Sequence, residues 1–270
     1  MIAFRNVDFW IGEHQILRDV SFSVPKGKTK VILGPSGSGK STILRLLIGL
    51  ARPDSGSILV DGSDIARMDE PRLQEIRRRM GMVFQQGALF DSMTVGENVG
   101  YSLLEHADHP EDQVEADVRT YLRLVGLDEH LIDRMPDQLS GGMQRRVAIA
   151  RALAAQNPEI LLYDEPTTGL DPQSAEHITD LIVQLRDTMG KTAIMVTHDI
   201  ADAFKVADRI TVLELGGVVF EGAPAELVAS NNPFIMEFLA PFRNAMAVAS
   251  RKLDSEPRRG ERPSMGGGMS

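Results

Sequence analysis

One stretch, Gly34-Pro35-Ser36-Gly37-Ser38-Gly39-Lys40-Ser41, constrains this chain more than any other. It satisfies the pattern G-x-x-x-x-G-K-[ST] without a mismatch, and its context fits as well. Val31-Ile32-Leu33 before it reads as a strand, and Thr42-Ile43-Leu44-Arg45-Leu46-Leu47 after it reads as a helix. The glycines let the backbone curl until successive N–H groups point inward at an anion. The following helix turns its positive N-terminus toward the same place. Lys40 can then bridge β- and γ-phosphates, and the Ser41 hydroxyl can ligate Mg²⁺. The loop therefore predicts a nucleoside triphosphate and a metal, without saying what the energy drives.

The surrounding pattern agrees with an α/β domain. Ile2 to Trp10, Asp19 to Val24, Lys30 to Leu33 and Ser57 to Val60 read as strands, and Ser41 to Leu50 as a helix. Ile160-Leu161-Leu162-Tyr163 and Ala193-Ile194-Met195-Val196 are short apolar runs of the kind buried on both faces of a parallel sheet. Ala175, Ile178, Leu181, Ile182 and Leu185 recur at helical spacing, as one core-facing stripe of a crossover helix. Residues 102–136 differ, with acidic clusters around Val114, Val118, Tyr121, Leu122 and Val125, and read as a small helical insertion.

Composition narrows the function. The 270 residues carry 29 Lys and Arg against 38 Asp and Glu, a net charge of −9, which gives no support for nucleic-acid binding. The absence of cysteine excludes a thiol nucleophile, a disulfide scaffold and thiolate metal sites. No uncharged apolar run of membrane-spanning length and no leader pattern is visible, so a soluble cytoplasmic location is expected. The segment from Arg243 onward holds six basic and three acidic residues, and Ser255 to Ser270 is rich in Pro, Arg and Gly. Disorder is expected there, the tail being either solvated or in contact with anionic lipid or a partner.

Two further motifs stand beside the loop. Asp164-Glu165 ends the apolar strand Ile160–Tyr163, either as a plain strand-end turn or as a metal-binding aspartate followed by a general base. A second parallel strand beside the strand of the phosphate loop is expected to deliver Asp164 to the metal. Leu139-Ser140-Gly141-Gly142-Met143-Gln144 opens a helix-like run, with Ser140 as its N-cap and accessible backbone N–H groups behind it. It is either an ordinary capped helix start or a second anion site, far from the first in sequence.

This last segment resembles the signature motif of the ATP-binding cassette (ABC) ATPases, and the remaining marks of that family occur in order over about residues 2–235. Gln85 matches the Q-loop glutamine that senses Mg²⁺ and the attacking water. Gly169-Leu170-Asp171 matches the D-loop, and His198 the switch histidine that contacts the γ-phosphate. The resemblance implies a P-loop NTPase fold with a mixed-sheet core, an N-terminal antiparallel β-subdomain and a helical subdomain inserted at about residues 86–156. The cassette would span residues 1–240, with a tail over 241–270. It implies ATP bound by residues 34–42, from Gly34, Pro35, Ser36, Gly37, Ser38 and Gly39 through Lys40, Ser41 and Thr42. Mg²⁺ would be held by Ser41, Gln85 and Asp164. Catalysis would fall to Glu165, His198, Gln85 and Lys40. Ser140, Gly141 and Gly142 would close in trans over a second copy's nucleotide in a homodimer, with Asp171 facing the partner's site. The family stacks adenine on an aromatic residue just before a glycine in the first hairpin. Here Ile11 precedes Gly12, and strand alternation would put Trp10 on the face opposite Ile11, so Trp10 either reaches the base or merely packs.

A single cassette without membrane spans implies permease subunits on separate chains. The stretch Gln85 to Val99, with Gly87-Ala88-Leu89-Phe90 and Thr94-Val95-Gly96-Glu97-Asn98-Val99, is similar to ATPases of Mla/Mce-type lipid transport systems. That resemblance implies phospholipid transport, permease contact around Gln85–Val99, an Mce-type lipid-binding component and a place on the cytoplasmic face of the inner membrane. A cassette importing amino acids or another small polar solute shares all the general motifs and is the alternative.

Overall fold

The computed structural model describes residues 1–105, 111–155 and 157–243. The tail predicted to be disordered lies outside them. The chain divides into one unit over Met1–Leu227 and a second over Val228–Ser270, whose described part holds a helix at 233–243 with Phe234 and Phe238 stacked at 5.7 Å.

Strands β1 (Ile2–Ile11) and β2 (His14–Val24) alternate buried and exposed residues along much of their length. That period of two belongs to a sheet with one wet face. With β4 (Ser55–Val60) and the short β5 (Ser63–Asp64), they form an antiparallel sheet in the order β2-β1-β4-β5. The β2 strand is longer than the predicted Asp19–Val24, because the Gly12-Glu13 turn closes a continuous hairpin in which Ile11 faces His14.

Strand β3 (Thr29–Leu33) is buried at all five positions, as a strand covered on both faces must be. It lies inside a second sheet with β6 (Met80–Val83), β7 (Ile160–Asp164), β8 (Thr192–Thr197), β9 (Arg209–Glu214) and β10 (Gly217–Gly222). The order is β10-β9-β3-β8-β7-β6, with only β10 antiparallel to its neighbour. This corrects one expectation. The strand that ends in Asp164 is not beside β3; β8 lies between them, and Asp164 reaches the loop because the helix after β3 crosses over β8.

That helix, α1 (Lys40–Leu47), is buried along Ile43, Leu44, Leu46 and Leu47. Its partners come from both sheets: Ile2, Phe4, Leu17 and Phe22 on one side, Ile32, Leu162 and Ile194 on the other, in a single core cluster. It stops at Leu47 rather than the predicted Leu50, because Gly49 turns left-handed at φ 67 and packs on Leu73 of α2 (Glu70–Arg78). Between β6 and β7 stand α3 (Val95–Glu105), α4 (Glu111–Leu124) and α5 (Gly141–Ala154). Val99, Leu103, Val114, Val118 and Leu122 bury the apolar stripes of the first two, while Glu115 of α4 stays exposed and Asp117 half-buried. Helix α6 (Pro172–Met189) buries the predicted stripe at Ile178, Leu181, Ile182 and Leu185, and α7 (Ile200–Val206) follows β8.

Ile194 sits at the centre of the strand that separates β3 from β7, opposite Lys30 and Leu162, and is fully buried. Replacing it with Ala should cost about 2–5 kcal/mol of stability, read as a lower urea midpoint at unchanged m-value.

Candidate functional site

The loop after β3 is shaped by what a Cβ would strike. At Gly34 it would lie 2.5 Å from the Leu213 carbonyl oxygen, and at Gly39, left-handed at φ 99, 2.6 Å from Leu17 Cδ2. Gly39 is also the N-cap of α1, so no side chain caps that helix and its first turn holds no acid. The leading N–H groups thus have no side-chain acceptor at a positive helix end, which is what an anion site requires. Ser38 Oγ is buried without a hydrogen-bond partner.

Lys40 is buried and aims Nζ back across the loop, donating to the carbonyls of Gly34 (2.9 Å) and Pro35 (3.0 Å). Its Nζ lies 3.6 Å from Glu165 Oε1. One residue on, Ser41 Oγ donates to Asp164 Oδ1 at 2.9 Å. Burial pushes the Asp164 carboxyl above its ordinary range, against the lowering effect of the Ser41 hydrogen bond. A hydroxyl and a carboxylate meeting this way form an all-oxygen pair of the kind Mg²⁺ accepts, with phosphate and water left to complete the shell. No cluster of three His, Asp or Glu suited to a metal exists among the described residues, so the protein supplies only part of any such shell.

Glu165 follows β7 in the left-handed region at φ 48, a strained setting for a non-glycine residue. Its N–H is bonded to the Val196 carbonyl on β8 (2.9 Å), which turns the side chain toward the end of that strand. There Glu165 Oε2 meets His198 Nδ1 at 2.8 Å and accepts from Thr168 Oγ1 at 3.0 Å. Next to it Thr167 Oγ1 donates to Asp202, whose carboxyl is raised chiefly by burial. An open cleft of about 570 Å³ lies beside them, lined by Thr168, Gly169, Leu170, His198, Asp199 and Lys205.

The expected site residues thus fall into two groups. Residues 34–41, Asp164, Glu165 and His198 come together. Gln85 is exposed and its side chain bonds no other described residue. Ser140 caps α5 by accepting from the Met143 N–H at 3.3 Å. Gly141 and Gly142 abut Leu170 and Ser174, not the loop, and a Cβ on Gly142 would lie 2.6 Å from Ser174 Oγ. Asp171 caps α6 through the Ser174 N–H (3.0 Å), and the Ser174 hydrogen bonds hold its carboxyl below the ordinary range. Trp10 is 44% exposed and Ile11 56%, while Phe9 packs on the core. A register shift separates Phe9 from Trp10, beyond which Trp10 pairs with Gln15 and Ile11 with His14 in regular register, and both side chains are open to solvent.

Sequence reasoning missed Thr168 and Arg145. Arg145 on α5 is buried and donates through Nη1 to the carbonyls of Phe84 (3.2 Å) and Glu165 (3.3 Å), tying the segment before Gln85 to the residue after Asp164. The available signal was its spacing, since Arg145 shares a helix face with Ala148 and Ala152, both buried.

A glycine loop, a hydroxyl–carboxylate pair and a glutamate–histidine pair are now joined to a capped second helix start. The family described as ABC transporter matches residues 17–168. The chain belongs to this family. It is similar to the intermembrane phospholipid transport system ATP-binding protein MlaF of Escherichia coli (strain K12), 40% identical over 239 residues, 88% of each chain. It is 43% identical over 229 residues to the methionine import ATP-binding protein MetN of Caulobacter vibrioides, 84% of this chain and 68% of that one. Among solved structures, a dimeric post-hydrolysis state of the ATP-binding cassette MJ0796 bound to ADP and Pi matches with a TM-score of 0.75. It is 37% identical and covers 83% of this chain and 99% of the other. The cassette therefore carries the ABC ATPase fold and is an ATPase.

Asp164 gives a test of the site's electrostatics. Its carboxyl is raised in the folded state, so ionisation opposes folding. Without nucleotide, stability should fall as pH rises from the ordinary carboxylate value through the raised one. Asp164→Asn should flatten that pH dependence and raise the melting temperature of the nucleotide-free cassette, while abolishing the Mg²⁺ dependence of nucleotide binding.

Proposed function

We propose that the cassette hydrolyses ATP to drive a multi-subunit transporter moving phospholipid between inner and outer membranes. The observation that carries this is the extent of the MlaF match, which runs over 88% of both chains. The MetN match is slightly more identical but leaves about a third of that relative uncovered. The MetN likeness favours a second reading, import of an amino acid or another small polar solute.

The chemistry follows from this chain's own side chains. The N–H groups of 34–42 and the α1 N-terminus would bind phosphate oxygens, and Lys40 would exchange the Gly34 and Pro35 carbonyls for them. Ser41 and Asp164, with Gln85 brought in on closure, would hold Mg²⁺, whose chemistry is to neutralise charge on the β- and γ-phosphates. Glu165 would polarise the attacking water, with Thr168 and His198 fixing its Oε2 and His198 also meeting the γ-phosphate. Trp10, exposed in the first hairpin, would cover the adenine.

Because Ser140–Gly142 sits against Leu170 and Ser174 rather than the loop, its anion site would serve a second copy. The MJ0796 cassette is dimeric with ADP and Pi, which supports a homodimer here, in which a head-to-tail arrangement would bring Ser140–Gly142 to the second copy's loop. Asp171 would then face the partner's nucleotide. No helix among the described residues is long and apolar enough to cross a membrane. Permease subunits on other chains, with an Mce-type component beyond them, would seat on the region Gln85–Val99 and hold the cassette at the cytoplasmic face of the inner membrane.

Glu165→Gln should retain ATP and trap the dimer while lowering hydrolysis by about 10² to 10⁴-fold. Wild-type turnover in that variant would remove Glu165 from the role of base. The transport reading is tested by purifying the cassette with its membrane subunits from detergent and assaying hydrolysis in phospholipid vesicles. Bound phospholipid is the expected result. A solute-binding partner, with hydrolysis stimulated by a small polar solute, would overturn it in favour of the importer.

A further inference from the structure

Helix α5 presents Arg145, Ala148 and Arg151 along one side to the segment 84–90. Arg151 Nη1 donates to the Ala88 carbonyl at 2.7 Å and its Nη2 to the Gly87 carbonyl at 3.0 Å. The guanidinium also lies 5.5 Å from the centre of the Phe90 ring. No carboxylate pairs with Arg151 among the described residues, and burial holds its pKa below the ordinary value, so these two carbonyls are its main compensation for leaving water.

The two residues in that fork are conformationally unusual. Gly87 (φ 75) and Ala88 (φ 48) are both left-handed. Glycine adopts that region freely, but the Ala88 Cβ is pushed toward the following carbonyl oxygen. Such a conformation persists only where its surroundings over-determine it. On the far side Asn98, fully buried on α3, accepts from the Phe90 N–H (2.8 Å) and donates to the carbonyls of Phe90 (3.1 Å), Met93 (3.1 Å) and Thr94 (3.0 Å). Segment 87–94 is therefore pinned at Gly87–Ala88 by Arg151 and from Phe90 to Thr94 by Asn98, with the Phe90 side chain 42% exposed.

We propose that Arg151 is a positioning residue: its planar fork holds Ala88 left-handed and so fastens the segment bearing Phe90 to the helix that begins at Ser140. A load applied at Phe90 then moves α5 and Ser140–Gly142 as one piece instead of being absorbed by bending of the loop. The second half rests on the reading of Gln85–Val99 as the permease contact; the clamp does not. Arg145, a turn and a half earlier, extends the same fastening to Phe84 and Glu165. A lysine cannot replace the fork, since its ammonium lacks the two parallel donors.

The test compares Arg151→Lys with the double variant Arg151→Lys/Ala88→Gly, in the full chain and with its membrane subunits. Amide hydrogen exchange over 86–90 should quicken at least about tenfold in the single variant, the weight of a lost charge-assisted bond. Adding Ala88→Gly should restore protection, because glycine needs no clamp to stay left-handed. The KM for ATP of the isolated cassette should not move, whereas stimulation by the membrane subunits should fall in the single variant and recover in the double. Failure of Ala88→Gly to restore protection would overturn the clamp and leave Arg151 as a packing residue of α5. Restored protection with stimulation unchanged throughout would overturn the coupling. A wild-type cassette that no membrane subunit stimulates would instead remove the permease reading, with the exchange data still deciding the clamp. Should Arg151→Lys not fold, Ala88→Val in the wild-type background strains the same point, and unchanged exchange there would also overturn the clamp.

Discussion

Helix α1 is enclosed by two sheets along Ile43, Leu44, Leu46 and Leu47, while its first turn begins at a left-handed glycine with no side-chain cap. Those two facts act together. Burial fixes the axis of the helix, and the missing cap leaves its positive end to an anion. An ordinary Ser or Asp cap would add roughly 1 kcal/mol of stability and would occupy the very donors the site needs. The antiparallel sheet is what makes the burial complete on the outer side, with Phe4, Leu17 and Phe22 in the shared core and Leu17 held against Gly39. The small first sheet thus belongs to the phosphate site as much as the parallel sheet does.

The separation of β3 from β7 by β8 gives the site its chemistry. Side by side, the two strands would leave no room for a third between the phosphate loop and the carboxylates. With β8 interposed, Asp164 meets Ser41 from one side and Glu165 bonds to the backbone of β8 itself, next to His198. Glu165, His198 and Asp164 are placed by adjacent strand ends in one sheet. Their spacing inherits the rigidity of a buried parallel ladder. Helix α5 adds a second level of control, because Arg145 and Arg151 reach carbonyls on two segments, 84–88 and Glu165, and tie them to the helix that begins at Ser140.

Much of this was legible in the residues. The loop, the strand–helix context, the buried runs Ile160–Tyr163 and Ala193–Val196 and the stripe of α6 follow from local pattern, and all appear where the pattern put them. The Ser140 cap was equally readable, since capping is decided within four residues. The register shift between Phe9 and Trp10 was not, because a bulge depends on how the opposing strand pairs and not on the alternation of one strand. Arg145 and Arg151 were overlooked as ordinary charges on a helix, although their shared face with Ala148 already placed them inward.

The sequence by itself determined a glycine-rich loop set between a buried strand and a helix, and that a carboxylate pair and a second capped helix start accompany that loop. These are contiguous motifs whose geometry is set by φ, ψ and nearest neighbours. Only the tertiary structure decided the strand order, the contact of Asp164 with Ser41, the turn of Glu165 toward His198, and the distance of Ser140–Gly142 from the loop of the same chain. Each of those depends on which buried strands pair with which. Strands that are apolar on both faces carry no mark of their neighbours, so that choice is made by the packing of the whole core.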